Sequence, residues 1–183
     1  MAPKSERLLF MFTEDWAFAS LFLDRAIAAK NAGYEVIVLT TTPHYNLIEN
    51  TLLKQPLKRK LFGLFFVSDY KGIDVIHIPS KKYKSTILRL FSFLYWHFLS
   101  IIIGSSIKNI DFVLSPSPPL SIGLVSILIA KINRAKFIYN VQEIYPDLLI
   151  KNGALKSSII IKSLKYLEKY IYCMILVEEY SSV

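Results

Sequence analysis

The chain alternates between short apolar runs and longer segments with helical periodicity, and this alternation limits its fold more than any other feature. Continuous apolar runs of strand length are typical of strands buried on both faces of a sheet. Apolar residues spaced by three and four positions indicate helices that pack along one side. The strands are predicted at residues 8–13, 35–40, 64–68, 73–78, 111–115, 136–141 and 173–177, and the helices at 16–31, 87–103, 121–131 and 155–172.

Strands that alternate with helices predict the α/β class, here a Rossmann-like parallel sheet with helices on both faces. Gly33 is placed to end the first helix. Residues 64–68 and 73–78 predict a hairpin with a four-residue turn, or a single sheet strand formed by the second run alone. The polar and basic residues 46–63 predict an insertion or a mobile loop, and residues 115–120 a proline-rich turn.

Composition narrows the possible chemistry. The chain has 183 residues, which suits one domain with a core, and it is 53% hydrophobic. Its glycines number only 6, and neither a dinucleotide fingerprint nor a Walker loop is present. The single cysteine, Cys173, allows no intrachain disulfide and fits a reducing compartment. The three histidines are scattered, so we predict no metal site.

The formal charge of +8 indicates an anionic partner (phosphates, nucleic acid or acidic lipid), or merely a solvated basic surface. Nucleic acid is disfavoured, because the lysines do not cluster on one helix with exposed aromatic residues. Segment 87–103 is the most apolar stretch and follows several lysines, a pattern that suits an interfacial helix on anionic lipid. We expect it to pack on the domain with part of one face toward the membrane; the alternatives are a fully buried helix and, third, a membrane span.

Polar side chains follow several predicted strands at their carboxyl ends, where open α/β sheets bind ligands. Residues 137–147 carry the largest group. The alternative is that these residues only cap helices or lie in solvated loops. The candidates are Asp15 after the first strand, His44 and Tyr45 after the second, Ser115 and Ser117 near the proline-rich turn, and Asn140, Gln142, Glu143, Tyr145 and Asp147 after strand 136–141.

Four motifs resemble bacterial family-4 glycosyltransferases of O-antigen, capsule and colanic-acid synthesis. They are TTTPHYN (40–46), KYKS (82–85), SPSPPLSIG (115–123) and FIYNVQEIYPDLLIKNG (137–153). The resemblance implies a GT-B architecture with two Rossmann-like domains, of which the first binds the acceptor and the second a nucleotide-sugar. It also implies retaining transfer without a metal or other cofactor. The acceptor would be a saccharide on undecaprenyl diphosphate, and the protein would be cytoplasmic and peripheral to the inner membrane.

Chain length departs from this family, whose members are roughly twice as long. The resemblance therefore implies that residues 1–183 form the acceptor-binding domain and that the donor-binding domain is absent. Whether the chain is an enzyme by itself stays open. The alternative is a truncated, non-catalytic acceptor-binding or subunit-like protein that needs a separate donor domain, through which it would meet the nucleotide-sugar.

The resemblance also suggests roles for residues. Glu143 and Asp147 would orient the acceptor hydroxyl as catalytic groups, although many relatives carry His-Asp where this chain has Gln142–Glu143. A Ser-His-Arg sequence of relatives is replaced by Ser20-Leu21-Phe22, so no role is carried over there. The other strand-end residues would bind substrate. Four residues would lie near the lipid diphosphate or the membrane: Lys81, Lys82, Lys84 and Trp96.

Overall fold

The computed structural model describes residues 5–14, 17–42, 56–80, 83–117, 119–142, 146–153 and 155–180. These residues form one sheet of seven strands in the order β3-β4-β5-β2-β1-β6-β7. The strands from β5 to β7 in this order are parallel, whereas β3 and β4 are antiparallel additions at one edge. The strands are β1 (Arg7–Met11), β2 (Glu35–Thr41), β3 (Lys58–Lys60), β4 (Phe65–Tyr70), β5 (Ile73–Ile78), β6 (Phe112–Ser117) and β7 (Lys136–Val141).

Helices cover both faces of the sheet, which confirms the predicted α/β, Rossmann-like class. A π-helical turn at Phe18–Phe22 leads into α1 on one face. Helices α2, α3 and α5 pack on the other face. The helices are α1 (Leu23–Asn31), α2 (Thr86–Ser106), α3 (Leu120–Asn133), α4 (Asp147–Lys151) and α5 (Ser158–Tyr180).

Two glycines let the helices on the larger face approach one another closely. A Cβ atom at Gly104 of α2 would lie 2.5 Å from Cδ1 of Ile129 in α3. A Cβ atom at Gly123 of α3 would lie 3.1 Å from Cδ1 of Ile171 in α5. Close packing of this kind leaves no space for an added methyl group without a shift of its neighbour. Helices α2, α3 and α5 therefore form one tightly packed layer.

The predicted strand at 173–177 is wrong, because these residues continue α5. A short apolar run fits a strand and a buried helical segment equally well by periodicity. No glycine or proline lies between residues 155 and 177 to end the helix. Ile171 and Met174, three residues apart, both contact the core, as one face of a helix requires.

The remaining differences concern turns and edges. The hairpin β4–β5 is confirmed, but its turn has two residues, Lys71 and Gly72, which both adopt positive φ. Part of the predicted loop at 46–63 is the edge strand β3; residues 46–55 lie outside the described part. The predicted proline-rich turn is partly strand, since β6 extends to Ser117. Pro116 fits there because the pairing of β6 with β1 ends at Leu114.

Candidate functional site

A cleft of about 360 Å³ opens at the end of the sheet where the parallel strands terminate. Its floor comes from the ends of β1, β2 and β5, and its wall is the first half of α2. This is where open α/β sheets bind ligands, and the volume lies in the usual range for small-molecule sites. The cleft is lined by Thr13, Glu14, Thr41, Ser80, Arg89, Ser92, Phe93, Trp96, His97 and Pro119.

Strand alternation and helix periodicity bring these residues together. Thr41 is the last residue of β2 and follows Ile37 and Leu39 on the face that packs against α2. On α2, residues three and four positions apart share a side of the helix. Arg89, Phe93 and Trp96 are spaced in this way and face the ends of the strands. The cleft therefore joins strand-end hydroxyls to an aromatic helix face.

Three of the residues that line this cleft each carry a buried polar atom without a hydrogen-bond partner among the described residues. The atoms are Oγ1 of Thr41, Nε1 of Trp96 and Nε2 of His97. Thr41 and Trp96 are each only 3% exposed. Buried polar groups are normally hydrogen-bonded, because desolvation without a partner is costly. A hydroxyl, an N–H donor and an imidazole nitrogen therefore lie beneath the surface of the cleft, where a ligand or water that entered between the side chains would satisfy them.

His97 is held in one orientation by its own helix. Its Nδ1 lies 2.7 Å from the carbonyl oxygen of Phe93, which can only accept, so Nδ1 carries the proton. The imidazole packs against the rings of Phe93 and Trp96, with centroids 3.9 and 5.0 Å away. Burial lowers the pKa of His97, and the bond to Phe93 opposes this shift only in part. The neutral ring therefore presents an unprotonated Nε2.

His77 has the same arrangement but satisfies both nitrogens. Its Nδ1 lies 3.1 Å from the carbonyl oxygen of Thr41, and its Nε2 lies 2.9 Å from Oγ of Ser68. Burial lowers the pKa of His77 also, with the Thr41 bond opposing. His77 is thus a structural residue that fixes the end of β2, whose Thr41 side chain reaches the cleft.

Charged side chains in the cleft are one acid and one base. Glu14 follows β1, and Arg89 lies near the start of α2, where it is exposed and donates to Oγ1 of Thr86 at 3.3 Å. Lys84 is exposed just before the same helix. Arg89 thus places a positive charge at the mouth of the cleft beside the start of α2, while Glu14 places a negative charge at the end of β1.

A second groove of about 320 Å³ adjoins the cleft along α2 and shares Ser92 with it. Its other lining residues are Pro79, Tyr83, Leu88, Phe91 and Tyr95. Leu88, Phe91 and Tyr95 form a stripe on the helix next to the stripe of Arg89 and Trp96. The groove is therefore apolar, and Arg89 of the cleft lies next to it on α2.

The strand-end residues predicted on β6 and β7 are close together but do not line the cleft. Ser117 pairs with Val141 and Pro116 with Asn140 in the ladder. Ser115 and Ser117 are buried on the face that carries Tyr139, whereas Asn140 follows Tyr139 and so lies on the opposite face. Burial raises the pKa of the Tyr139 phenol, and the nearby Ser117 hydroxyl opposes the rise. Gln142 is exposed just beyond β7.

Asp147 begins α4, where its carboxylate forms an ion pair with Lys165 at 3.2 Å. Trp96, predicted near the lipid diphosphate or the membrane, is buried and lines the cleft, and the exposed apolar stripe of α2 consists of other residues. The remaining predicted residues lie outside the described part of the chain: Asp15, His44, Tyr45, Lys81, Lys82, Glu143 and Tyr145.

Sequence reasoning missed Thr41, Arg89 and His97 as cleft residues. A signal was present, because Arg89, Ser92 and His97 are polar residues in a largely apolar stretch. Polar residues in such a helix are informative, since they need partners when they are buried. Their spacing of three and five positions places them near one side of α2.

No family model, curated protein or solved structure matches this chain. In the part of the chain that the structure describes, no cluster of three or more His, Cys, Asp or Glu side chains could hold a metal ion. One described helix, Thr86–Ser106, is long and apolar enough to cross a membrane, and 28% of its most apolar window is buried in the protein. Trp96, Leu99 and Ile103 of that helix contact the core.

Proposed function

We propose that the cleft binds the sugar of a lipid-linked saccharide and that this chain is the acceptor-binding domain of a retaining glycosyltransferase. The supporting observation is the set of three unpartnered polar atoms beside aromatic rings at the end of the parallel strands. Sugar hydroxyls both donate and accept hydrogen bonds, so they suit a hydroxyl, an indole N–H and a neutral imidazole. The CH faces of a sugar ring suit the exposed aromatic ring of Phe93.

The surroundings of the cleft match the other parts of such an acceptor. Arg89 at the mouth suits a diphosphate, since a guanidinium group forms charge-assisted hydrogen bonds with phosphate oxygens, and the exposed Lys84 precedes the same helix. The apolar groove on the other side of Ser92 suits a polyprenyl chain. The sugar, the diphosphate and the lipid would thus occupy the cleft, the surroundings of Arg89 and the adjoining groove. Bacterial surface polysaccharide synthesis is the process that this acceptor class supports.

A set of exposed apolar residues, here called the apolar rim, supports attachment to the inner-membrane surface. Phe62 is 97% exposed at the β3–β4 turn, and both Leu61 and Phe62 adopt positive φ. This turn precedes β4, which runs antiparallel to β5, so it lies at the same end of the sheet as the start of α2. The apolar rim consists of Leu61, Phe62, Leu64, Ile87, Leu88, Leu90, Phe91 and Leu94.

Basic residues beside the apolar rim complete an interfacial surface. Lys58, Arg59 and Lys60 are exposed next to Phe62. Each basic side chain near an anionic bilayer contributes roughly 1 kcal/mol, and apolar side chains add to this by insertion. The protein would thus lie on the cytoplasmic leaflet with its cleft close to a lipid-linked acceptor.

The acceptor proposal is tested by binding and transfer together. Calorimetry would titrate the chain with geranyl diphosphate conjugates of hexoses and N-acetylhexosamines, and with geranyl diphosphate alone. We expect saturable binding that requires the sugar. Transfer would be measured with the chain alone and with an added donor-domain protein. Turnover only in the mixture would favour a subunit-like acceptor module, and no binding of any conjugate would refute the proposal.

Vesicle sedimentation tests the membrane proposal. Replacement of Phe62 with Ser removes an exposed aromatic ring whose insertion is worth about 1.5 to 3 kcal/mol, so partitioning into anionic vesicles should fall by roughly 10- to 100-fold. Ile132→Ser is the control, because Ile132 is exposed near the end of α3, at the opposite end of the sheet. Equal losses for the two variants, or no loss for Phe62→Ser, would refute the proposed orientation.

A further inference from the structure

The hydrogen bonding of His97 differs from that of His77 at one ring nitrogen, Nε2. In both rings Nδ1 donates to a backbone carbonyl, which leaves Nε2 as an acceptor. The Nε2 atom of His77 is satisfied by Ser68, whereas that of His97 is buried and unpartnered on a side chain that lines the cleft. The neighbouring residue Trp96 contributes the converse group, a buried N–H donor without a partner. Consecutive residues thus present one acceptor and one donor.

We infer that His97 and Trp96 set the direction in which the acceptor lies: Nε2 of His97 accepts from a sugar hydroxyl, and the diphosphate lies at Arg89. This inference rests on the proposed function. A lone pair on a neutral imidazole attracts a hydroxyl hydrogen and repels an anionic oxygen. The phosphate oxygens are therefore excluded from the His97 end of the cleft, while the guanidinium at the mouth attracts them.

The distance along α2 fits this orientation. Arg89 and His97 are eight residues apart, which corresponds to about 12 Å along a helix axis at 1.5 Å per residue. A hexose and the diphosphate attached to it span a similar length. A ligand in the reverse orientation would bring its diphosphate to the unprotonated Nε2 and its hydroxyls to the exposed guanidinium of Arg89. Two residues of α2 would thus contact the two ends of one sugar diphosphate, Arg89 the diphosphate and His97 the sugar.

The charge state of His97 supports the assignment. Burial holds the pKa of His97 below its ordinary value, so Nε2 is unprotonated at neutral pH. Of the side chains that line the cleft, Glu14 from the end of β1 and Arg89 from α2 carry charge. The lining residues at the ends of β2 and β5 and before α3 are uncharged. Protonation at acidic pH would convert the acceptor into a donor and remove the bond to the sugar hydroxyl. Binding should therefore weaken as the pH falls.

Two substitutions of His97 separate its nitrogens. In His97→Asn the amide can still donate to the Phe93 carbonyl, but nothing replaces Nε2. In His97→Gln the longer amide can place its oxygen near the position of Nε2. With the geranyl diphosphate sugar conjugates as probes, we expect about tenfold weaker binding for His97→Asn. For His97→Gln we expect affinity within a few-fold of the wild type, without the loss at acidic pH.

A second comparison tests the direction of the ligand. Arg89→Gln should weaken binding of the diphosphate conjugates, and this loss should disappear when a neutral linker replaces the diphosphate. The loss caused by His97→Asn should persist with the neutral linker. Nitrogen-15 NMR of the imidazoles supplies a direct readout: the Nε2 signal of His97 should shift when the probe is added, while that of His77 serves as an internal control.

The outcomes separate this inference from the proposed function. Probe binding with an unchanged His97 signal and unaffected affinity of His97→Asn would overturn the inference and leave the acceptor proposal standing. A His97→Asn loss that vanishes with the neutral linker would also overturn it, since the diphosphate would then lie at His97. No binding of any probe by the wild-type chain would overturn both.

Discussion

The hydrogen bond between Ser68 and His77 yields a sharp prediction about stability. The two side chains are buried and lie on β4 and β5, with Oγ of Ser68 2.9 Å from Nε2 of His77. Nδ1 of His77 is protonated, so the Ser68 hydroxyl must be the donor to Nε2. Replacement of Ser68 with Ala leaves this nitrogen buried without a partner. We expect a loss of about 1 to 3 kcal/mol in the free energy of unfolding at pH 7.5.

The pH dependence of this loss has a definite sign. Burial lowers the pKa of His77 in the folded protein, so the unfolded chain takes up a proton first as the pH falls. The stability contributed by the neutral ring is therefore present above the unfolded pKa of about 6.5 and is lost as the pH falls toward the folded pKa, by up to about 1.4 kcal/mol per pH unit. Without the Ser68 hydroxyl the neutral form loses a bond, and the folded pKa of His77 should move back upward.

Urea denaturation at pH 7.5, 6.5 and 5.5, followed by circular dichroism, would measure both effects. The wild type should lose stability as the pH falls below about 6.5, and the gap between wild type and Ser68→Ala should narrow there. Ser80→Ala is the control, because this hydroxyl lies in the cleft and not against His77. A loss below about 0.5 kcal/mol at pH 7.5, or a gap that widens in acid, would refute the reasoning.

Three further predictions concern packing, a turn and a surface ion pair. Gly104→Ala gains about 1 kcal/mol of helix propensity but forces a methyl group against Ile129, which costs about 1 to 3 kcal/mol. The free energy of unfolding should therefore fall, and it should fall less when Ile129→Val is present as well. Strictly additive losses of the two substitutions would contradict this. Lys71→Asn should raise the free energy of unfolding by roughly 0.5 kcal/mol, and with it the urea midpoint, because Asn tolerates the positive φ of this turn; a lower midpoint would count against it. Asp147→Ala should change stability by less than about 1 kcal/mol, since its ion pair with Lys165 is half exposed; a larger loss would indicate an additional structural role.

The sheet could be predicted from the sequence because its strands are continuous apolar runs. Such runs mark β1, β2 and β5–β7 with little ambiguity. The edge strand β3 (Lys58–Lys60) was not predictable, since it consists of three exposed basic residues and depends on pairing with β4. The end of α5 was misassigned for the opposite reason: its last apolar run lacks a polar pattern that would reveal its period.

The candidate site was only partly predictable. That ligands bind at the ends of parallel strands is a topological rule, and the cleft lies at the end of the sheet that this rule predicts. Tertiary packing decides which strand ends lie beneath α2. They are the ends of β1, β2 and β5, and not those of β6 and β7. For the same reason an apolar sequence did not reveal that Trp96 is buried while Phe91 and Leu94 are exposed.

Comparison of Thr41→Val with Thr40→Val tests most directly whether the cleft is the acceptor site. Both threonines end β2, both are buried and both lack a partner for Oγ1 among the described residues, but only Thr41 lines the cleft. Calorimetric titration with the geranyl diphosphate sugar conjugates should show up to about tenfold weaker binding for Thr41→Val and unchanged binding for Thr40→Val. Equal affinities for both variants and the wild type would contradict the account.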